Sequence, residues 1–322
     1  MGLIENPKTY TGRDLETIFF RPMFVGESAE QLGVRVMYNM PVPTTIQMWS
    51  PSSDVLKSFT SGWTGGNSAT RQQKSINMSK LKAEVGFSAS DYFQSVYELI
   101  VGRADVNLDD LTGTELEQAE TEMFRAAIAE SLRVMMWIGD ESAAAFNTMD
   151  GLLTRAERYS TSPTVTTYDG ITGEVVAANV VDVFKGMWSV ASPELKALRG
   201  EGNLAFFVTT DIYDAYEEYL DGHASDGAYV DLVSGRRELM YHGIKVVDMG
   251  ITQYIADASG KHKSYCMLTD RRNLVLAVNT SDYPGSGVRM WYNPDAMENR
   301  QRAVFLAGTE ILDETLMVWA KF

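Results

Sequence analysis

MPVPTTIQMWSPSSDVLKSFTSGWTGGNSATRQQKSINMSKLKAEVGF, residues 40–87, has no obvious core of its own and lies just ahead of a long helix. From Ser50 to Lys74 it is dominated by Ser, Thr, Gly, Asn and Gln, yet it carries three large isolated aromatics, Trp49, Phe59 and Trp63. A structureless stretch of this length inside a compact domain marks either disorder or a functional projection. Linkers seldom carry tryptophan, which is costly to leave in water. The flanks Thr45–Met48 and Ser75–Lys80 alternate apolar and polar, as a two-stranded ribbon does. An isolated ribbon is marginal in water. The stretch therefore predicts a projection covered by something outside this subunit's own core, which points to assembly.

Working outward, residues 1–39 read as an irregular arm with aromatic anchors at Phe19, Phe20 and Phe24 and a break at Pro22. Beyond the ribbon, Ser90 can cap a short helix reaching about Val101, with Phe93, Val96, Tyr97 and Ile100 on one face. Thr112 with Glu115, or Thr114 with Glu117, offers a capping box for the next helix. No Gly or Pro interrupts the chain from Thr114 to Ile138. Acidic first turns, Arg133 near the end and Gly139 as a stop agree with the helix dipole and with C-cap preferences. About 24 residues at 1.5 Å each make a rod of roughly 36 Å. Leu116, Ala119, Met123, Ala127 and Val134 or Met135 fall near helical spacing, an Ala-rich stripe suited to packing on a sheet.

Residues 150–270 read as a separate α/β unit. A helix over Ala178–Val190 carries Val181, Phe184, Met187 and Trp188. The buried-type strand Leu204–Val208 leads through Thr209 and Thr210 into a helix over Asp211–Leu220. A strand Ile244–Met249 follows, and Gly260-Lys261 is expected to turn a hairpin into Ser264–Leu268. The chain then becomes strand-rich, with Leu274–Val278, Val288–Tyr292, Ala303–Gly308 and Thr315–Ala320. The long helix and this late sheet form a layer pair, with the α/β unit inserted between them in sequence.

That order of arm, extended ribbon, long single helix, inserted α/β unit and closing strands resembles the major capsid proteins of tailed bacteriophages, the Hong Kong 97 fold. The segments GNLAFFVTTDIYDAYEEYL, YHGIKVVDMG and VRMWYNPDAMENRQRAVFLAGTEILDETLMVWAKF carry the likeness, which covers essentially the whole chain. It implies an α+β fold: N-terminal arm at 1–39, extended loop at 40–87, peripheral domain at 88–149 and 271–322 with its spine helix near 114–138, and axial domain at 150–270. By the same resemblance, Trp49, Phe59, Trp63, Arg71 and Lys74 of the loop and Phe19, Phe20 and Phe24 of the arm contact neighbouring subunits. The partners implied are other copies in hexamers and pentamers, a portal, a separate scaffolding protein, decoration proteins, and packaged double-stranded DNA held without sequence-specific binding. The scaffold is expected to be separate because the ribbon begins near residue 40, leaving no room for the hundred-residue scaffolding segment of some relatives. The place implied is a virion capsid assembled in the bacterial host cytoplasm. The prototype's Lys–Asn crosslink would need Lys57 or Lys74 with Asn293 or Asn299 and Glu298; no motif aligns them, and no crosslink is expected.

The remaining features agree with a structural role. The formal net charge of −15 disfavours non-specific nucleic-acid binding unless basic residues gather on one face. Arg236–Arg237 and Arg271–Arg272 are only pairs. Hydrophobic content of 45% and charged content of 22% fit a soluble globular chain. No apolar run approaches the ~20 residues that span a bilayer, and the N-terminus lacks the basic start and apolar centre of a signal peptide. The single cysteine, Cys266, excludes an internal disulfide framework and reads as an inert core thiol. His223, His242 and His262 have no metal-ligand spacing. Asp211, Asp214 and Glu218 share a helix face that reads as solvated, with Glu217 beside it. Ser286 in YPGSG lacks a nucleophile elbow, and Gly62, Gly65 and Gly66 match no phosphate-binding fingerprint. No cofactor and no catalytic or metal residue is expected. Two alternatives remain open: an encapsulin-type shell around an enzyme cargo, and a soluble hydrolase built on residues 150–270.

Overall fold

The computed structural model describes residues 29–30, 32–38, 44–50, 58–59, 61–62, 70–88, 115–162, 164–223, 228–230, 237–258, 261–279 and 287–322. The first elements among the described residues are strands β1 (Arg35–Tyr38), β2 (Thr44–Ser50), β3 (Thr70–Ile76) and β4 (Ser79–Ser88). Helices α1 (Glu115–Ile138) and α2 (Leu152–Ser160) follow, then β5 (Thr166–Thr167), α3 (Val180–Val190), α4 (Pro193–Ala197), β6 (Leu204–Val208) and α5 (Thr210–Gly222). Next come β7 (Ala228–Val230), β8 (Arg237–Tyr241), β9 (Ile244–Asp248) and α6 (Thr252–Ile255). The chain closes with β10 (Tyr265–Asp270), β11 (Leu274–Asn279), β12 (Gly287–Asn293), β13 (Glu298–Ile311) and β14 (Met317–Lys321). The arm with Phe19, Phe20 and Phe24, and the short helix expected at 90–101, lie outside the described residues.

The described strands form two large sheets and a separate two-stranded one, β2-β3. The larger runs β5-β14-β10-β6-β9-β8-β7. Its central strand, LAFFV, is buried at every residue, as a strand covered on both faces must be. Side-chain alternation divides those residues between two cores. Leu204, Phe206 and Val208 join Cys266, Leu268 and Val318 on the face covered by α3 and α5. There Phe184 meets Phe206 at 4.9 Å and Tyr216 at 5.0 Å between ring centres. Ala205 and Phe207 turn to the opposite face with Tyr265, Met267, Met317 and Trp319.

The smaller sheet is built on the 14-residue β13. Along one edge β13 pairs with β12 and then β11, and along the other with β4; β1 adds to β11 in parallel. Its inward residues Leu81, Leu274, Leu276, Ala307 and Ile311 share a core with the second face of the larger sheet. The C-terminal end of α1 enters that core, with Val134, Met136, Trp137 and Ile138 buried, and Trp137 lies 5.5 Å from Phe207. Gly139 ends the helix as expected, its N–H returning to the Met135 carbonyl at 3.0 Å.

Four sequence expectations are corrected. In the apolar stripe of α1, Val134 is buried as expected, but Met123 is exposed and its neighbour Phe124 takes the inward position. Arg133, read as complementing the dipole near the helix end, lies short of the last turn. Its guanidinium grips the Glu130 carboxylate at 2.6 and 2.9 Å and donates to the carbonyls of Met249 and Gly250 at 2.9 and 3.1 Å. Tyr265–Asp270 forms no hairpin with Ile244–Asp248, since β6 lies between them and β10 bonds to β6 and β14. Finally, the last strand does not return to the sheet of β11–β13; β14 pairs with β10 and β5 in the larger sheet. Its alternation, with Met317 and Trp319 on one side and Val318 and Ala320 on the other, fits a site needing apolar residues on both faces.

Candidate assembly site: the ribbon and its root

The ribbon expected from the sequence forms, with its second strand moved. β2 pairs with β3 in antiparallel register from Thr44 opposite Ile76 to Ser50 opposite Thr70. Ser79 and Lys80, expected on the ribbon, begin β4 instead and pair with β13. The exchange happens at Asn77–Met78, where the chain leaves the ribbon and enters the smaller sheet. Gly308 of β13 makes this possible, because a Cβ there would collide with the Asn77 carbonyl oxygen.

The ribbon is not wholly without a core in its own subunit. Ile76 is fully buried and packs with Val275 and Ala277 on the outer face of β11, with Ile46, Met37, Met78 and Leu312 beside them. Ile46 and Ile76 sit near the base, where the polar ribbon has its apolar foothold. Beyond them β2 and β3 carry no buried residue among the side chains described.

Lys74 fixes the root electrostatically. Its ammonium reaches Glu314 at 2.6 Å and Glu310 at 3.9 Å and lies 4.2 Å from the centre of the Tyr159 ring. Burial pulls its proton affinity down, but the hydrogen bond to Glu314 and the surrounding charges outweigh this and hold it above the ordinary lysine range. Glu310 in turn accepts from the Tyr159 hydroxyl at 2.6 Å and from Arg155 at 2.9 Å. Burial first, and then the bond to Glu310, pushes the Tyr159 phenol upward. Thr309 donates to the Asp150 carbonyl at 2.5 Å, and the Asp150 carboxylate takes Arg158 and the Glu141 N–H. Four separated segments, 74, 150–159, 309–310 and 314, are thereby held together. A buried charge set of this kind is tolerated only when its members are paired.

The expected contact residues are distributed as follows. Trp49 and Arg71 stand opposite each other across β2 and β3. Phe59 is 96% exposed in the segment between the strands. Trp63 lies outside the described residues. Lys74, expected to meet a neighbour, engages its own subunit. Ile46, Ile76, Tyr159, Glu310 and Glu314 were not foreseen; an isolated β-branched residue on each strand of a polar ribbon was the available signal. For a crosslink, Asn299 is fully buried and Lys74 is already paired; Lys57 lies outside the described residues.

Cys266 is buried in the core beneath α3 and α5, and burial pushes its thiol far up, as an inert thiol requires. His223, His242 and His262 are each stacked on or edge-on to a different neighbouring tyrosine, Tyr219, Tyr241 and Tyr265. Asp214 and Glu218 face solvent on α5. Among the described residues no group of three or more His, Cys, Asp or Glu is placed to hold a metal, and no helix is long and apolar enough to cross a membrane.

No protein-family model and no curated protein sequence matches this chain. Solved structures do. The capsid of an empty GTA particle is similar over 92% of this chain and 96% of its own, with a TM-score of 0.55 and 14% identity. The capsid asymmetric unit of cyanophage A-1(L) is similar over 94% of both chains, with a TM-score of 0.55 and 13% identity. The holo-SrpI encapsulin of Synechococcus elongatus PCC 7942 is similar over 89% of this chain and 84% of its own, with a TM-score of 0.50 and 9% identity. At such identities the likeness shows fold, and the fold of this chain is of the Hong Kong 97 capsid type.

Proposed function

We propose that this chain is the major capsid protein of a tailed bacteriophage, a structural subunit and not an enzyme. In this reading it assembles as hexamers and pentamers into an icosahedral shell around double-stranded DNA. The observation that carries the reading is the ribbon on this fold: a root locked by Ile76 and Lys74 into its own subunit, and a distal part with Phe59 fully in water. A rigid root with an unsatisfied apolar end is what a contact between subunits needs. Burying one such aromatic against a neighbour contributes roughly 1.5–3 kcal/mol, and a closed shell repeats that gain at every equivalent contact.

Trp49, Phe59, Trp63 and Arg71 are assigned to the neighbour's peripheral domain, and Phe19, Phe20 and Phe24 to a second neighbour. Residues 1–39, 40–87, 88–149 with 271–322, and 150–270 are assigned as arm, extended loop, peripheral and axial domains, with β14 structurally shared with the axial sheet. Separate scaffolding, portal and decoration proteins, virion localisation and host-cytoplasmic assembly complete the reading.

Size-exclusion chromatography and negative-stain microscopy of the purified chain test it. Discrete hollow shells are expected; a stable monomer with hydrolytic turnover would overturn it. The likeness to the SrpI encapsulin favours one second reading, a shell enclosing an enzyme. Shells isolated from their native source with a co-purifying enzyme in place of DNA would select that one.

A further inference from the structure

The sequence contains no basic run, yet the smaller sheet assembles one across three strands. Directly paired residues of an antiparallel sheet share a face. Arg289 is opposite Arg302, Trp291 is opposite Arg300, and Arg302 and Val304 are opposite Glu84 and Lys82. Leu306, on the same face, is opposite Lys80. The other face of β13 holds Asn299, Gln301 and Ala303, which are buried, and Gln301 reaches Thr121 of α1 at 3.4 Å. The charged face is therefore the one turned away from α1; Lys80, Lys82, Glu84, Arg289 and Trp291 on it are exposed, Arg300 and Arg302 are half-buried, and Leu306 is buried at its end. It gathers five of the chain's 28 Lys and Arg but two of its 43 Asp and Glu.

Both of those acids are already engaged. Glu84 holds Lys82 at 2.8 Å, and Glu298 holds Arg300 at 3.1 Å. Arg289 and Arg302 have no carboxylate partner among the described residues, although they stand directly opposite each other, an arrangement that destabilises a sheet. Arg302 lies 5.6 Å from the ring centre of Trp291, which is 38% exposed. Glu84 stands opposite Arg302 but is held by Lys82, so Arg289 and Arg302 beside a half-exposed tryptophan form a net basic patch with carboxylate-binding capacity to spare. Its composition is that of a protein contact, since Arg and Trp are the residues most enriched at binding hot spots. A duplex phosphate backbone would use the arginines but make no contact that needs the exposed indole.

We infer that the exposed face of β4, β12 and β13, centred on Arg289, Trp291 and Arg302, binds carboxylates on the surface of a second copy of this chain. The rest of the chain, which holds 41 of the 43 acidic residues, is the complementary partner. The inference rests on the assembly reading above but concerns a surface separate from the ribbon. A contact made through these arginines weakens with salt.

The test is sedimentation velocity of the full chain from low to high salt, comparing wild type with the double variant Arg289→Glu/Arg302→Glu and with Trp291→Ala. The expected result is at least a tenfold weaker self-association of the double variant at low salt, a smaller loss for Trp291→Ala, and unchanged thermal unfolding of both. Wild-type shells matched by the double variant at every salt concentration would overturn this inference and leave the capsid reading standing. Association without shells, lost in the double variant, would support the inference and overturn the shell. A wild-type chain that stays monomeric throughout would overturn both. Binding of a labelled DNA duplex that the double variant loses, with its self-association intact, would assign the face to nucleic acid and overturn the inference.

Discussion

A subunit in which Met48–Gln72 is replaced by Asn-Gly is expected to fold as the full chain does and to fail to close shells. Gln47 and Gln73 face each other across β2 and β3, and Asn-Gly is the preferred two-residue turn between such a pair. The shortened hairpin keeps Ile46, Ile76 and Lys74, so the packing on β11 and the bonds to Glu310 and Glu314 remain. It removes Trp49, Phe59, Trp63 and Arg71 together. At roughly 1.5–3 kcal/mol per buried aromatic, each subunit contact loses about 4–9 kcal/mol. A tenfold change in affinity corresponds to about 1.4 kcal/mol, so association falls by about a thousandfold or more. Chromatography and microscopy read the assembly, and thermal unfolding reads the fold. Normal shells from this variant would remove the ribbon from the account.

The second large effect belongs to the interior. Arg133→Met is expected to destabilise the subunit by about 3–5 kcal/mol, the typical cost of removing one partner from a buried ion pair. Arg133 joins α1 to the turn after β9 through the Met249 and Gly250 carbonyls, and Glu130 also accepts from the Tyr254 hydroxyl at 2.8 Å. Without the guanidinium, the Glu130 carboxylate remains buried with only that hydroxyl. The hydrogen bonds from Arg133 hold the Glu130 carboxyl below its ordinary range, against the opposing effect of burial. A depressed carboxyl adds stability that is present above its unfolded pKa of about 4.3 and is lost as pH falls through the folded value. The wild type should therefore lose this contribution in acid, and Arg133→Met should lack that part of the pH dependence. Urea unfolding at pH 7 and at pH 3–4 measures both, and a variant within 1 kcal/mol of wild type at pH 7 would contradict the assignment.

The parts of the fold readable from the sequence were those whose pattern is local. Uninterrupted helix formers between a capping box and Gly139 place α1 to within a residue, and the all-apolar run LAFFV places β6 without error. What escaped was decided by partners distant in sequence. Nothing in Ser264–Leu268 reveals that β6 will come between it and β9, and the two-sided burial of Met317–Lys321 becomes meaningful only once α3 covers one face. The ribbon's aromatics stand out in the sequence because they violate the expected composition of a loop. Its root was not, since the roles of Lys74, Tyr159, Glu310 and Glu314 depend on segments up to 240 residues apart. The basic face escaped for a similar reason: Lys80, Lys82, Arg289, Arg300 and Arg302 are never adjacent, and strand register alone gathers them.

The central claim is that the ribbon is a clasp between subunits, and electron cryomicroscopy of particles assembled from the purified chain tests it most directly. The account predicts closed shells in which the end of each ribbon, with Trp49, Phe59 and Trp63, is buried on a neighbouring subunit while Lys74 stays on Glu314 of its own. Shells in which that end folds back on its own subunit or projects freely into solvent would contradict it.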